Sequence, residues 1–225
     1  MKKNWSSIRI GKVLVKQGTP AIITSYRAST SESLLKALRT KGRMSDIIEI
    51  RYDLFLERSE KDLQSLLSGL SLLQLSYIFT YRTDSVEEAL RYYGIAADSG
   101  APAIDVDIRL PDVSSGKSLR FSSYHGEHTS VSRDLLRQLL SAGPDVVKLG
   151  ISYENREDLL SDINTIEEEY NGIDRPLCFS PMGNDSFMRA VAAYFVSDFV
   201  YAAGSGKTAP GQLTAGQYRS IFRLY

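Results

Sequence analysis

Residues 46–54 read DIIEIRYDL, an alternation with the period of two that a β-strand imposes. Ile48, Ile50 and Tyr52 fall on one face, and Glu49, Arg51 and Asp53 fall on the other. Charged side chains within an apolar strand need a reason, because burying them without partners is costly. In a closed barrel, strand residues alternate between the interior and the surrounding helices. The isoleucines suit the helix layer, so the charged face is predicted to look inward.

The same β-type signal recurs on both sides of this stretch, in AIITSY (21–26), YIFTYR (77–82), AIDVDI (103–108), LRFSSYH (119–125), DVVKLGI (145–151), PLCFS (176–180) and DFVYAA (198–203). Helical patterns lie between most of them, among them SEKDLQSLLSGL (59–70) and ENREDLLSDINTIEEEY (154–170). Regular βα alternation points to a parallel sheet. Eight such units in 225 residues favour a single (β/α)₈ TIM barrel over residues 1–225, with an open doubly wound sheet as the fallback. The fourth connection, PDVSSGK, holds at most one helical turn. Residues 8–16 (IRIGKVLVK) read as an extra N-terminal β-hairpin that caps the barrel's bottom. No G-x-G-x-x-G follows the first strand, so a dinucleotide fold gains no support.

Composition narrows the classes. Lys+Arg and Asp+Glu both number 27, a zero net charge that argues against nucleic acid. The single cysteine, Cys178, excludes an internal disulfide and fits a reducing cytoplasm. It sits in an apolar strand and reads as core. The basic start has no apolar signal-type run, and no apolar stretch is long enough to span a membrane. Trp5 lies near an end and is uninformative.

Further charges sit on the predicted strands. Arg82 ends one, Asp105 and Asp107 share a face of the next, and His125 ends the one after. Lys148 lies among Val146, Val147 and Leu149. Arg51, Arg82 and Lys148 balance Glu49, Asp105 and Asp107, as a buried polar network should. Such a set could merely fill a barrel centre, but it gathers where barrels place their chemistry. Taken alone, Lys148 reads as a lysine snorkelling from a strand end. An alternative gives it chemistry. Burial and the neighbouring cations Arg51 and Arg82 favour a neutral amine that can attack a carbonyl. His125, on the neighbouring strand, can shuttle protons near neutral pH.

Two motifs fail on spacing. Gly204-Ser205-Gly206-Lys207-Thr208 resembles the end of a phosphate-binding loop, but Tyr201 stands where that pattern requires glycine. His125 and His128 lack the helical spacing and further ligands of a metal site, so no metal is expected.

The chain resembles the type I 3-dehydroquinate dehydratase family. The matching segments are Glu49–Asp53, Thr80–Thr83, Ile104–Asp107, Ser123–His125, Val147–Leu149, Pro181–Gly183 and Ala209–Gln212, in the family's order. The resemblance implies a hydro-lyase acting on 3-dehydroquinate in the shikimate pathway, without cofactor. Lys148 would be the Schiff-base lysine, His125 the proton-transfer residue and Glu49 the carboxylate that orients it. Arg51 and Arg82 would bind substrate, Arg189 would grip its carboxylate, and Thr208 and Gln212 would sit on a lid loop. The family also implies a homodimer.

Three departures accompany the match. Val86 stands at a usual glutamate position, with Glu87 the candidate substitute. The stretch around Arg189 is one residue short. The chain is compact between residues 82 and 119. Separately, Tyr201 replaces a usual phenylalanine. A class I Schiff-base aldolase and a non-catalytic ligand-binding barrel are the alternative readings.

Overall fold

The computed structural model describes residues 4–26, 28–41, 45–110, 113–127, 131–183, 186–204 and 211–223. A hairpin of β1 (Ser7–Ile10) and β2 (Val13–Lys16) is followed by eight parallel strands. These are β3 (Ala21–Tyr26), β4 (Ile47–Arg51), β5 (Tyr77–Thr80), β6 (Ala103–Asp107), β7 (Leu119–Glu127), β8 (Val146–Ser152), β9 (Leu177–Met182) and β10 (Phe199–Ala202). They pair in the order β10-β3-β4-β5-β6-β7-β8-β9, so the chain's last strand lies beside its first barrel strand. The (β/α)₈ barrel is therefore the fold. Residues 46–54 do not stay extended to their end: the strand stops at Arg51, and Tyr52–Leu54 form a 3-10 turn.

Among the described residues, α1 (Ser31–Lys41), α2 (Glu60–Leu72), α3 (Val86–Asp98), α4 (Arg133–Ser141), α5 (Arg156–Glu169) and α6 (Ser186–Phe195) connect successive strands, and α7 (Ala215–Phe222) follows the last one. Ser59, Ser85, Ser132, Asn155 and Thr214 each accept a hydrogen bond from a first-turn amide, which fixes where five of these helices begin. Between β6 and β7 no helix forms among the described residues.

The interior face of most barrel strands starts apolar and turns polar two residues later. Ile47 precedes Glu49, Ala103 precedes Asp105, Phe121 precedes Ser123, Val146 precedes Lys148, and Phe199 precedes Tyr201. The lower layer forms one apolar cluster with Trp5, Ile10 and Val15, so the hairpin closes the barrel's bottom. Trp5 is buried in that plug, a role its position near the chain start did not disclose. Cys178 lies in the same layer, where burial pushes its thiol up to about 12. The opposite strand faces pack on the helices, as Ile48, Ile50 and Tyr52 do against Leu63, Leu66 and Leu70. Each such buried side chain contributes roughly 1.5–3 kcal/mol of transfer free energy.

The seam between β9 and β10 is joined by a backbone hydrogen bond and by side chains. Asp198 accepts from the Leu177 amide at 3.0 Å and returns its own amide to the Leu177 carbonyl at 2.7 Å. Ser197 Oγ accepts from the Phe179 amide at 2.8 Å and donates to the Phe199 carbonyl at 2.7 Å.

We expect Asp198→Ala to strand the Leu177 amide and lower stability by about 1–3 kcal/mol. A urea titration checks this, and an unchanged midpoint would contradict the role given to Asp198 at the seam.

Candidate active site

The polar upper layer opens into a cavity of about 360 Å³, within the usual range for small-molecule pockets. Lys148, His125, Glu49, Arg51, Arg82, Arg189 and Gln212 all line it. Thr208 lies outside the described residues. A larger hollow, about 540 Å³, borders the hairpin at Gln17 and includes Glu167 and Asp198, but neither amine nor imidazole.

Lys148 is the centre of the network. Alternation along β8 turns Val147, Leu149 and Ile151 to the helices and Lys148 to the interior. Its Nζ donates to Asp105 Oδ2 at 2.6 Å, Tyr201 OH at 2.7 Å and Glu49 Oε1 at 3.1 Å. Those three acceptors match the three protons of an ammonium group. Burial favours the neutral amine, but Asp105 and Glu49 outweigh it and hold the group above the ordinary lysine value. This overturns the expectation of a resting neutral amine. Arg82 does push toward neutrality, though by less, and Arg51 is turned aside into a two-pronged pair with Asp53 at 3.0 and 2.7 Å.

The carboxylates respond in kind. Burial opposes the ionisation of Glu49, yet Lys148, Arg51 and a hydrogen bond from Ser25 bring it down to about 2 despite the nearby Asp105. Thr80 Oγ1 and Tyr201 OH donate to the same Glu49 oxygen at 3.2 and 3.0 Å. Asp105 is fully buried; burial raises it, but Arg82 at 2.9 Å and Lys148 hold it below the usual carboxylate range. Arg82 also reaches Ser123 Oγ at 2.9 Å and Asp107 at 3.6 Å.

His125 reaches the pocket by a route the sequence did not advertise. In the β7–β8 register it stands opposite Gly150, two residues above Lys148 on the same face. A Cβ on Gly150 would lie 2.6 Å from His125 Cδ2, so only glycine lets the ring lie there undisturbed. The ring remains solvent-accessible at the pocket mouth. Packing around it, then Arg82 and Lys148, lower its pKa to about 3, against smaller opposing effects from Asp105 and Glu49. The ring is therefore neutral at pH 7. No described residue hydrogen-bonds the imidazole. Glu49, expected to orient it, is committed to Lys148, Tyr201 and Thr80 instead.

Arg189 is buried on α6, and its Nη1 donates to Ser180 Oγ at 3.2 Å. Gln212 is also buried. Glu87 does not replace the carboxylate missing at Val86: it is exposed on the first turn of α3 and does not line the cavity. Its neighbour Glu88 accepts from Tyr81 OH at 3.2 Å and Thr83 Oγ1 at 3.0 Å. The rim gains Arg109 instead, paired with Asp107 at 2.9 and 3.0 Å. Gly150, Tyr201 and Arg109 were not among the expected site residues. Gly150 falls two positions after Lys148, a spacing that could have flagged it.

Residues 22–225 match the family model for type I 3-dehydroquinase. A 3-dehydroquinate dehydratase of Thermoplasma acidophilum is 33% identical over 221 residues, covering 96% of this chain and 95% of that protein. Its counterpart in Thermoplasma volcanium is 31% identical, covering 98% of this chain and 96% of that protein. The crystal structure of 3-dehydroquinate dehydratase from Geobacillus kaustophilus superposes with a TM-score of 0.86 at 20% identity, covering 97% of this chain and 96% of that one.

Two outcomes follow from the site's geometry. Gly150→Ala should force the imidazole from its place and cut turnover on the order of 10²-fold, a value typical for one misplaced proton-transfer group. Steady-state kinetics reads this, and near-normal kcat would contradict it. The second concerns stability. Both His125 and Glu49 have folded-state pKa values below their ordinary ones, so each contributes stability at neutral pH that is lost on acidification. The His125 share fades as pH falls from about 6.5 toward 3, and the Glu49 share from about 4.5 toward 2. Urea midpoints at pH 7 and pH 4.5 should differ more in the wild type than in His125→Ala.

Proposed function

This chain belongs to the type I 3-dehydroquinase family, and on that footing we propose that it converts 3-dehydroquinate to 3-dehydroshikimate through an imine on Lys148. The observation that carries the proposal is the placement of the Lys148 amine on the pocket floor, two residues below the glycine over which a neutral imidazole lies.

The resting ammonium must first lose a proton, and Glu49 and Asp105 are the adjacent bases. The freed lone pair adds to the substrate ketone, and the C=O pair moves to oxygen. After proton transfer, that oxygen leaves as water, and a C=N bond links Lys148 to the ring. A protonated imine draws electrons from the adjacent carbon and acidifies its hydrogen. Neutral His125 takes that proton, giving an enamine. The enamine pushes out the ring hydroxyl, which leaves as water with the proton from His125. Hydrolysis of the imine frees the product and restores the amine.

Binding is assigned by chemistry. Arg189 offers a planar fork suited to the substrate carboxylate, while Arg51 and Arg82 suit hydroxyls and oxyanions. Gln212 and Thr208 belong to the segment that would close over the ligand and exclude water. The shikimate pathway is the setting this chemistry fits. A cytoplasmic location is proposed with it. No helix among the described residues is long and apolar enough to cross a membrane. A homodimer is the proposed assembly.

Borohydride added with 3-dehydroquinate should trap a stable adduct, located on Lys148 by mass spectrometry. Lys148→Ala should abolish it. Because that change removes the ammonium shared by two buried carboxylates, Lys148→Arg provides a second inactive variant that keeps the charge. His125→Ala should still trap adduct but lose at least about 10²-fold in kcat. Near-full turnover in either lysine variant would refute the imine route.

A further inference from the structure

Tyr201 places a hydroxyl between the two groups that must exchange a proton before any imine can form. Its oxygen accepts from Lys148 Nζ at 2.7 Å and donates to Glu49 Oε1 at 3.0 Å. The direct Lys148–Glu49 contact is longer, 3.1 Å. Glu49, Lys148 and Tyr201 line the cavity, whereas Asp105 is sealed beneath it and grips Nζ from behind. The protons that shield the amine from a ketone entering the cavity are therefore those directed to Tyr201 and Glu49. Removing one of them leaves a lone pair on the side where substrate arrives.

We propose that Tyr201 is a further catalytic residue, whose hydroxyl relays a proton from Lys148 to Glu49 as the amine becomes a nucleophile and returns it when the imine is hydrolysed. This rests on the imine reading above. In the forward step one N–H bond of the ammonium breaks and its proton passes to the tyrosine oxygen. The tyrosine's own proton moves in the same event to Glu49 Oε1. Lysine becomes a neutral amine, glutamate a neutral acid, and the phenol is unchanged. The transfer is concerted because the alternative is a phenolate, which burial and the adjacent Glu49 and Asp105 strongly disfavour. The cation and the anion are discharged together, so no isolated buried charge arises along the way.

The ring fixes the hydroxyl for this task. Tyr201 is buried on β10, two residues above Phe199 in the apolar lower layer, and its phenol stands across the barrel from β6. Phenylalanine at this position would keep the ring and remove the hydroxyl with its hydrogen bonds to Lys148 and Glu49.

The test is a time course of borohydride-trapped adduct on Lys148 under single-turnover conditions, comparing wild type with Tyr201→Phe. The proposal gives slower adduct formation in Tyr201→Phe, on the order of 10–10²-fold at pH 7, with the same final adduct and little change in KM. Equal rates in the two proteins would overturn the relay while leaving the imine reading intact. No adduct on wild-type Lys148 would overturn both. If Tyr201→Phe melts below the assay temperature, 3,5-difluorotyrosine at position 201 keeps the ring and both hydrogen bonds while acidifying the hydroxyl. An altered trapping rate then supports the relay, and an unaltered one overturns it.

Discussion

A buried ammonium group gripped by two buried carboxylates organises this protein's upper half. Lys148 sits 2.6 Å from Asp105 and 3.1 Å from Glu49, and the ammonium offsets part of the cost of burying both carboxylates. Each carboxylate in turn draws further partners: Arg82 for Asp105, and Ser25, Thr80 and Tyr201 for Glu49. These groups come from β3, β4, β6, β8, β10 and the end of β5. The barrel's closure is thus a condition for the network, because the groups converge only when strands at opposite sides of the sheet face one centre. Ion networks of this kind seldom add stability over well-packed apolar residues, which makes chemistry the better explanation of why this one exists.

Much of the fold could be read from the chain. Short β-type apolar runs alternating with helical patterns located all eight barrel strands, and the shortness of PDVSSGK marked the connection where no helix forms in the described residues. The charged faces of residues 49–51 and 105–107 did turn inward, because the isoleucines and valines between them had helices to pack on. Local patterning fails where an outcome depends on partners distant in sequence. Trp5 became part of the floor because the hairpin folds under the strands, which no periodicity near residue 5 could disclose.

The protonation state of Lys148 was misjudged for the same reason. The sequence places apolar residues beside it, but charge is decided by Asp105, 43 positions away, and Glu49, 99 positions away. Glu49 lines the pocket, but its hydrogen bonds go to Lys148, Tyr201 and Thr80 rather than to the imidazole. A reaction that needs a free amine must therefore begin with a proton moving off the ammonium within this cluster, and the groups that stabilise the resting state are also those that can receive it. One set of contacts serves both ends because the charges vanish in pairs.

The apolar floor has its own consequence through Cys178. It pairs in register with Lys148, yet its thiol is wholly enclosed and stays protonated. Thiolate is the form that reacts with alkylating agents and oxidants, so the native protein should be inert to both. Since this is the chain's sole sulfhydryl, any slow uptake of a thiol reagent would count transient openings of the barrel, giving the molecule a built-in clock for its own breathing.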